Sequence, residues 1–214
     1  LFATLPFASM GARAQEIDFQ AHTVPNEAFW QTISRLTKVH LSNATVRLNV
    51  RGTTVEPKGE LHVKADGLEL LRTNRNLPKI GAFEGRIELS EQVLTIPELS
   101  FRIAEQPMTV TGELKLGDNF WTQRREEILQ YAMDHGSVRL VAPEVQLAPF
   151  AKYFPQYFRP QGKLFADIAM HEGRDFEGAI RVREVETRPL EKIGVVQEIE
   201  ADLSLREKTV HIAN

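Results

Sequence analysis

Apolar and polar residues alternate along most of this chain, and the alternating runs open again and again on a glycine. Gly59-Glu60-Leu61, Gly85-Arg86-Ile87, Gly112-Glu113-Leu114, Gly162-Lys163-Leu164 and Gly178-Ala179-Ile180 are the instances. Successive side chains of a β-strand point to opposite faces, so this period predicts strands with one oily and one wet side. Short turns between them predict an antiparallel sheet. Its apolar face is then covered by a second protein layer or by something that is not protein.

Element by element, Gln15 to Ala21 reads as a first strand, with Ile17 and Phe19 on one side. Pro25 suits a first helical turn, and Phe29, Ile33 and Leu36 follow at spacings of four and three, which predicts a helix near 26–37. Strand periodicity returns at Val39 and Leu41, at Val46, Leu48 and Val50, and at Leu61, Val63 and Ala65. Asp66-Gly67 then reads as a turn before Leu68 and Leu70. Thr73 to Lys79 is polar and reads as a loop. Ile87 and Leu89 face Leu94 and Ile96 across Ser90-Glu91-Gln92, a hairpin pattern. Pro97 has no N–H to give a ladder and restricts its strand to an edge or a break.

Leu99, Phe101 and Ile103, then Met108, Val110, Leu114 and Leu116, extend a β-meander. A second helix near 119–134 carries Phe120, Trp121, Ile128, Leu129 and Tyr131, with Gly136 placed to close it. Three further strands hold Val138 to Ala142, Leu164 to Met170 and Phe176 to Val182, the last two joined through His171 to Asp175. Residues 149–160 form an aromatic, proline-rich connector. The expected architecture is mainly β: one long twisted antiparallel sheet, a groove-like meander, with two short inserted helices, continuous over residues 1–214.

One stretch repeats. Glu84 to Ile96 lies on Glu200 to Ile212 without a gap, Leu89 falling on Leu205 and Ile96 on Ile212. Arrays that grow by repeating a supersecondary unit show such self-similarity.

At 214 residues the chain is long enough for a substantial core, and 26 basic against 29 acidic side chains give a net charge of only −3. That balance provides no basic footprint for nucleic acid. Cysteine is absent, which removes disulfides, cysteine zinc sites and thiol catalysis. The six histidines are scattered without metal-binding spacing, and no nucleophile elbow, phosphate loop or dinucleotide fingerprint occurs. The expectation is therefore a protein that is not an enzyme, with no catalytic residue, metal or cofactor. Asp167, Glu172, Asp175 and Glu177 resemble an acid and base pair for glycoside cleavage in type, but they alternate with apolar residues as solvated strand positions do.

No run of about eighteen apolar residues suits a membrane-crossing helix. Leu1 to Ala14 resembles the tail of a secretory signal, with Ala12-Arg13-Ala14 as an A-x-A step, yet Pro6 interrupts it and no charged leading region is present. The chain reads as an internal fragment of a longer protein. Phe150, Tyr153, Phe154, Tyr157 and Phe158, framed by Pro149, Pro155 and Pro160, suit a sugar-stacking platform, a lipid interface or, most plainly, a cap on the end of the sheet.

The recurring G-x-L openings, the steps Pro97-Glu98-Leu99 and Pro143-Glu144-Val145, and the run from Gly178 through Thr187-Arg188-Pro189-Leu190 to Leu203-Ser204-Leu205 resemble the AsmA-like superfamily, which includes the TamB proteins of bacterial envelopes. The resemblance covers most of residues 38–214. It implies a taco-shaped sheet crossing the periplasm from an inner-membrane anchor, with an apolar groove for phospholipid or other acyl-chain lipid. It also implies envelope or outer-membrane assembly proteins as partners, and a role in outer-membrane lipid transport or assembly. Ile87, Leu89, Leu94, Leu114, Leu116, Leu203 and Leu205 are the lipid-groove candidates, and Tyr153, Phe154, Tyr157 and Phe158 the aromatic contact candidates. Two other readings use the same residues: a structural or adhesive β-sandwich whose sheets cover each other, and a secreted carbohydrate-binding domain using the aromatics.

Overall fold

The computed structural model describes residues 15–23, 30–32, 34–35, 39–53, 56–70, 79–117, 120, 125–154, 160–172, 175–187, 194–206 and 209–213. In chain order its strands are β1 (Glu16–His22), β2 (Val39–Ser42), β3 (Thr45–Thr53), β4 (Pro57–Leu70), β5 (Ile80–Ser90), β6 (Val93–Ile103) and β7 (Gln106–Lys115). After helix α1 (Arg125–His135) come β8 (Gly136–Gln146), a 3₁₀ helix (Ala148–Tyr153), β9 (Gln161–His171), β10 (Asp175–Thr187), β11 (Val196–Arg206) and β12 (Thr209–Ala213). All twelve strands join one antiparallel sheet, ordered β1-β3-β4-β5-β6-β7-β8-β9-β10-β11-β12, with β2 beside β3 on β4. The strands pack chiefly on their hydrogen-bonded neighbours. The described residues thus form one open sheet and not a two-layer sandwich.

Register sorts the side chains by face. Val46, Val63, Gly85, Leu99, Val110, Leu140, Ile168, Gly178, Leu205 and Val210 stand opposite one another in turn, an unbroken apolar row from β3 to β12. One residue over, Arg47, His62, Arg86 and Glu98 pair in the same way on the wet face. The repeated stretch also repeats in space. Leu89 pairs Leu94 and Ser90 pairs Val93 in the first copy; Leu205 pairs Val210 and Arg206 pairs Thr209 in the second.

Three local expectations change. Asp66-Gly67 is not a turn: β4 runs straight through it, because Gly67 is engaged on both sides, opposite Ser42 and Gly81. Pro97 lies inside β6, an interior strand. The register shifts beside it, between Arg86 and Glu88 on the β5 side and between Ile96 and Leu99 on the β7 side, so a bulge accommodates the missing donor. Pro143 and Glu144 occupy a similar bulge between Ala142 and Val145. Gly136 does follow the helix, but it starts β8 and lacks the left-handed φ of a terminal cap. It is needed for proximity, since a Cβ there would come 2.5 Å from the Ala132 carbonyl oxygen.

Of the expected helix near 26–37, residues 30–32 and 34–35 are described and are helical; the others lie outside the described residues. The second helix is described from Arg125 to His135. The polar stretch from Thr73 to Pro78 also lies outside them.

Candidate functional site

No large side chain is fully buried among the described residues. Burial is confined to patches. Trp30, Ala44 and Ala65 form one cluster with Leu41, Val46 and Phe83 around it. Leu116 and Phe120 are buried near α1, where Tyr131 stands edge-on to Phe120 at 5.5 Å and its hydroxyl donates to the Lys115 carbonyl while accepting from Gly117 N–H. Ala142, Val145 and Val185 are buried at the bulged end of β8 to β10. Between these patches the apolar face is half-buried from Leu61 and Ile87 through Val110, Leu140 and Ile168 to Leu203. Val138, Phe176, Val210 and Ile212 are exposed outright.

The groove candidates fall on this face. Leu89, Leu94 and Leu114 pair in one row that runs from Phe19 through Val50 and Gly59 to Gly136. Ile87 stands opposite Leu61, Leu205 opposite Gly178 and Leu203 opposite Ile180. Leu116 continues the β7 alternation and is the buried member of the set, at 6% exposure, its N–H bonded to the Gln92 carbonyl. Of the aromatic candidates, Tyr153 ends the 3₁₀ helix with the Lys152 ammonium 5.0 Å from its ring centre, and Phe154 is exposed. Tyr157 and Phe158 lie outside the described residues.

Several contributors to the face were not among the candidates: Phe83, Val138, Met170 and Phe176. The glycines of the strands belong to it too. Gly59, Gly85, Gly112, Gly136 and Gly178 each pair with apolar residues of this side. A residue two places before a leucine shares its face, so the G-x-L repeat already carried that information. At Gly85 the space is taken by a neighbour, since a Cβ would sit 2.6 Å from Leu99 Cδ1.

The wet face is laced with ion pairs. Arg139 grips Asp167 with both guanidinium arms, Nε to Oδ1 at 2.7 Å and Nη2 to Oδ2 at 2.6 Å. That bond holds the Asp167 carboxyl below its ordinary pKa and raises that of Arg139. Glu172 meets Lys115 at 3.2 Å and Glu177 meets His171 at 2.8 Å. Of the four carboxylates considered for acid and base work, Asp167 and Glu172 thus stand in salt bridges with Arg139 and Lys115, and Glu177 lies against the His171 ring, all on exposed ground. A concavity of about 1440 Å³ spans β6 to β11, and most of its lining belongs to the wet face, Glu113, Arg139, Asp167 and Glu177 among it, with Val138 and Phe176 contributed from the apolar rows. Leu205 is the groove candidate that reaches it. A second, of about 280 Å³, includes Leu89 among charged neighbours. Among the described residues no group of acidic and histidine side chains could hold a metal, and no helix is long and apolar enough to cross a membrane.

What this surface offers chemically is solvation of hydrocarbon, over many strands. No protein-family model, curated protein or solved structure matches the chain.

Proposed function

We propose that the chain is a non-catalytic segment of an AsmA-like envelope protein whose apolar sheet face shields or conducts lipid acyl chains, in support of outer-membrane lipid transport or assembly. The observation that supports this reading is the apolar row from Val46 to Val210, mostly half-buried or exposed because, beyond the Trp30 cluster at its Val46 end, no second sheet of described residues packs on it. Moving a methylene from water onto such a surface gains about 0.8 kcal/mol. For a chain of roughly sixteen carbons that is on the order of 10 kcal/mol, enough to fix the route a lipid tail takes. No bond is broken in this work, so it requires no nucleophile, metal or cofactor.

The test is mass spectrometry of lipid retained by the purified protein and by a variant with Leu89→Asp and Leu114→Asp. The reading expects bound phospholipid in the first and a marked loss in the second. Equal occupancy would take both leucines out of the binding surface, and absence of lipid from the parent would end the proposal.

A further inference from the structure

The chain between β8 and β9 differs in chemistry from the rest. No Asp or Glu occurs from Val145 to Ala166, although the sequence holds 29 acidic side chains in 214 residues. Glu144 and Asp167, which bound this run, have partners of their own in Gln146 and Arg139. Within it, the described residues Leu147 to Phe154 carry the 3₁₀ helix. Its root is tied down: the Leu147 N–H donates to the Gly162 carbonyl at 2.9 Å, and the N–H groups of Phe150 and Phe154 donate to the Leu147 and Ala151 carbonyls. Yet no residue of the helix is buried. Rings that capped the sheet would be covered. Here Phe150 and Tyr153 are half-buried, Phe154 is 41% exposed, and the exposed Lys152 holds its ammonium 5.0 Å from the Tyr153 ring centre.

Three aromatic rings, a proline and a cation, with no carboxylate among them, suit the zone of a bilayer where headgroups meet acyl chains. Ring bodies there leave water, the Tyr153 hydroxyl and Lys152 ammonium stay wet, and the cation meets lipid phosphate. Val195, 47% exposed just ahead of β11, stands at the same end of the sheet, since Thr187 pairs Val196 and Glu186 pairs Gln161. Resting on the lipid reading above, we infer that the segment from Leu147 to Phe154 docks on a phospholipid bilayer and holds this end of the sheet against it. A lipid tail would pass between membrane and apolar face at that end.

The experiment floats the purified protein with vesicles of phosphatidylcholine alone, and of phosphatidylcholine with phosphatidylglycerol in equal parts, and measures in parallel the lipid retained on purification. Phe154→Ser weakens binding to both vesicles by about ten-fold. Lys152→Gln weakens it by about five-fold on the anionic vesicles alone. Phe176→Ser, at a position equally exposed but at the far end of β10, leaves vesicle binding unchanged. Equal binding by the parent and Phe154→Ser would overturn the docking, and so would an equal loss in Phe176→Ser, which would assign adhesion to the apolar face. Folding is checked by circular dichroism. Should Phe154→Ser unfold, Lys152→Gln decides, and undiminished binding of it to the anionic vesicles would overturn the docking. Retained lipid in a parent that binds no vesicle would overturn the docking and leave the lipid reading standing. Ring-dependent vesicle binding by a parent that retains no lipid would do the reverse.

Discussion

Leu140→Glu separates an open apolar face from a closed core. Leu140 stands mid-strand in β8, between Val110 and Ile168, and is half-buried. Removing its apolar contact costs about 2 kcal/mol, within the range for burying one such side chain. On a face open to water the new carboxylate keeps much of its hydration, so little is added. In a closed core the same ion would lose its water at a further cost of several kcal/mol, enough to consume most of a typical domain's 5–15 kcal/mol. The assay is urea unfolding followed by far-ultraviolet circular dichroism, with the glutamate's titration read by NMR. The expected result is a folded protein with a modestly lower midpoint and a carboxyl titrating near its ordinary range. A variant with no folded baseline in water, or a carboxyl titrating far above that range, would show that something seals this face and would refute the reasoning.

Gly178→Ala is expected to cost about 1–3 kcal/mol or more, because φ is +146° and the added Cβ would strike the Asp167 carbonyl oxygen on the neighbouring strand; thermal melting measures it, and an unchanged midpoint would contradict the strain. Asp167 titrates below an ordinary carboxylate through its bond to Arg139, so its contribution to stability is present above the unfolded-state pKa and is lost as pH falls through the folded one. NMR titration of Asp167 in Arg139→Gln should show its pKa rising toward the ordinary value. Pro143→Ala should change stability by less than about 1 kcal/mol, since the bulge leaves no ladder donor to restore, and a larger change in the urea midpoint would argue against that account.

The period of two made most strands legible, because each residue on β3 to β12 has to choose a face and the leucines chose consistently. Turns were read well where polarity interrupted the pattern, as at Ser90-Glu91-Gln92, which closes on Glu91 and Gln92 in left-handed conformations. They were misread where chemistry suggested a break that pairing overrides. Asp66-Gly67 has turn composition, yet ladders on both sides hold it extended. Pro97 signals an edge, yet a bulge lets an interior strand carry it. Neither compensation is local to the residue, so no reading of its neighbours alone would find it. For the site, alternation gave the face of Ile87, Leu89, Leu94, Leu114, Leu203 and Leu205, but not how deeply each is covered. Leu116 looks like its fellows in sequence and is buried because the segment with Phe120 and Tyr131 returns over the end of β7.

On the proposed reading, stability and function meet on this face. A strand that packs chiefly on its hydrogen-bonded neighbours draws its hydrophobic gain from one side of one layer, and the absence, among the described residues, of any fully buried large side chain shows how partial that gain is. Whatever lies on the apolar row therefore supplies what a second sheet would supply elsewhere. An occupant that binds the folded sheet and not the unfolded chain stabilises it by mass action, about 2.7 kcal/mol at a hundred-fold excess over its dissociation constant. Lipid and fold are coupled on this view, and the coupling should be strongest where the face is barest. Detergent or lipid should raise the melting temperature of the parent more than that of Leu140→Glu, whose carboxylate repels hydrocarbon from the middle of the row. An equal rise in both would mean that the bound molecules stabilise some other surface.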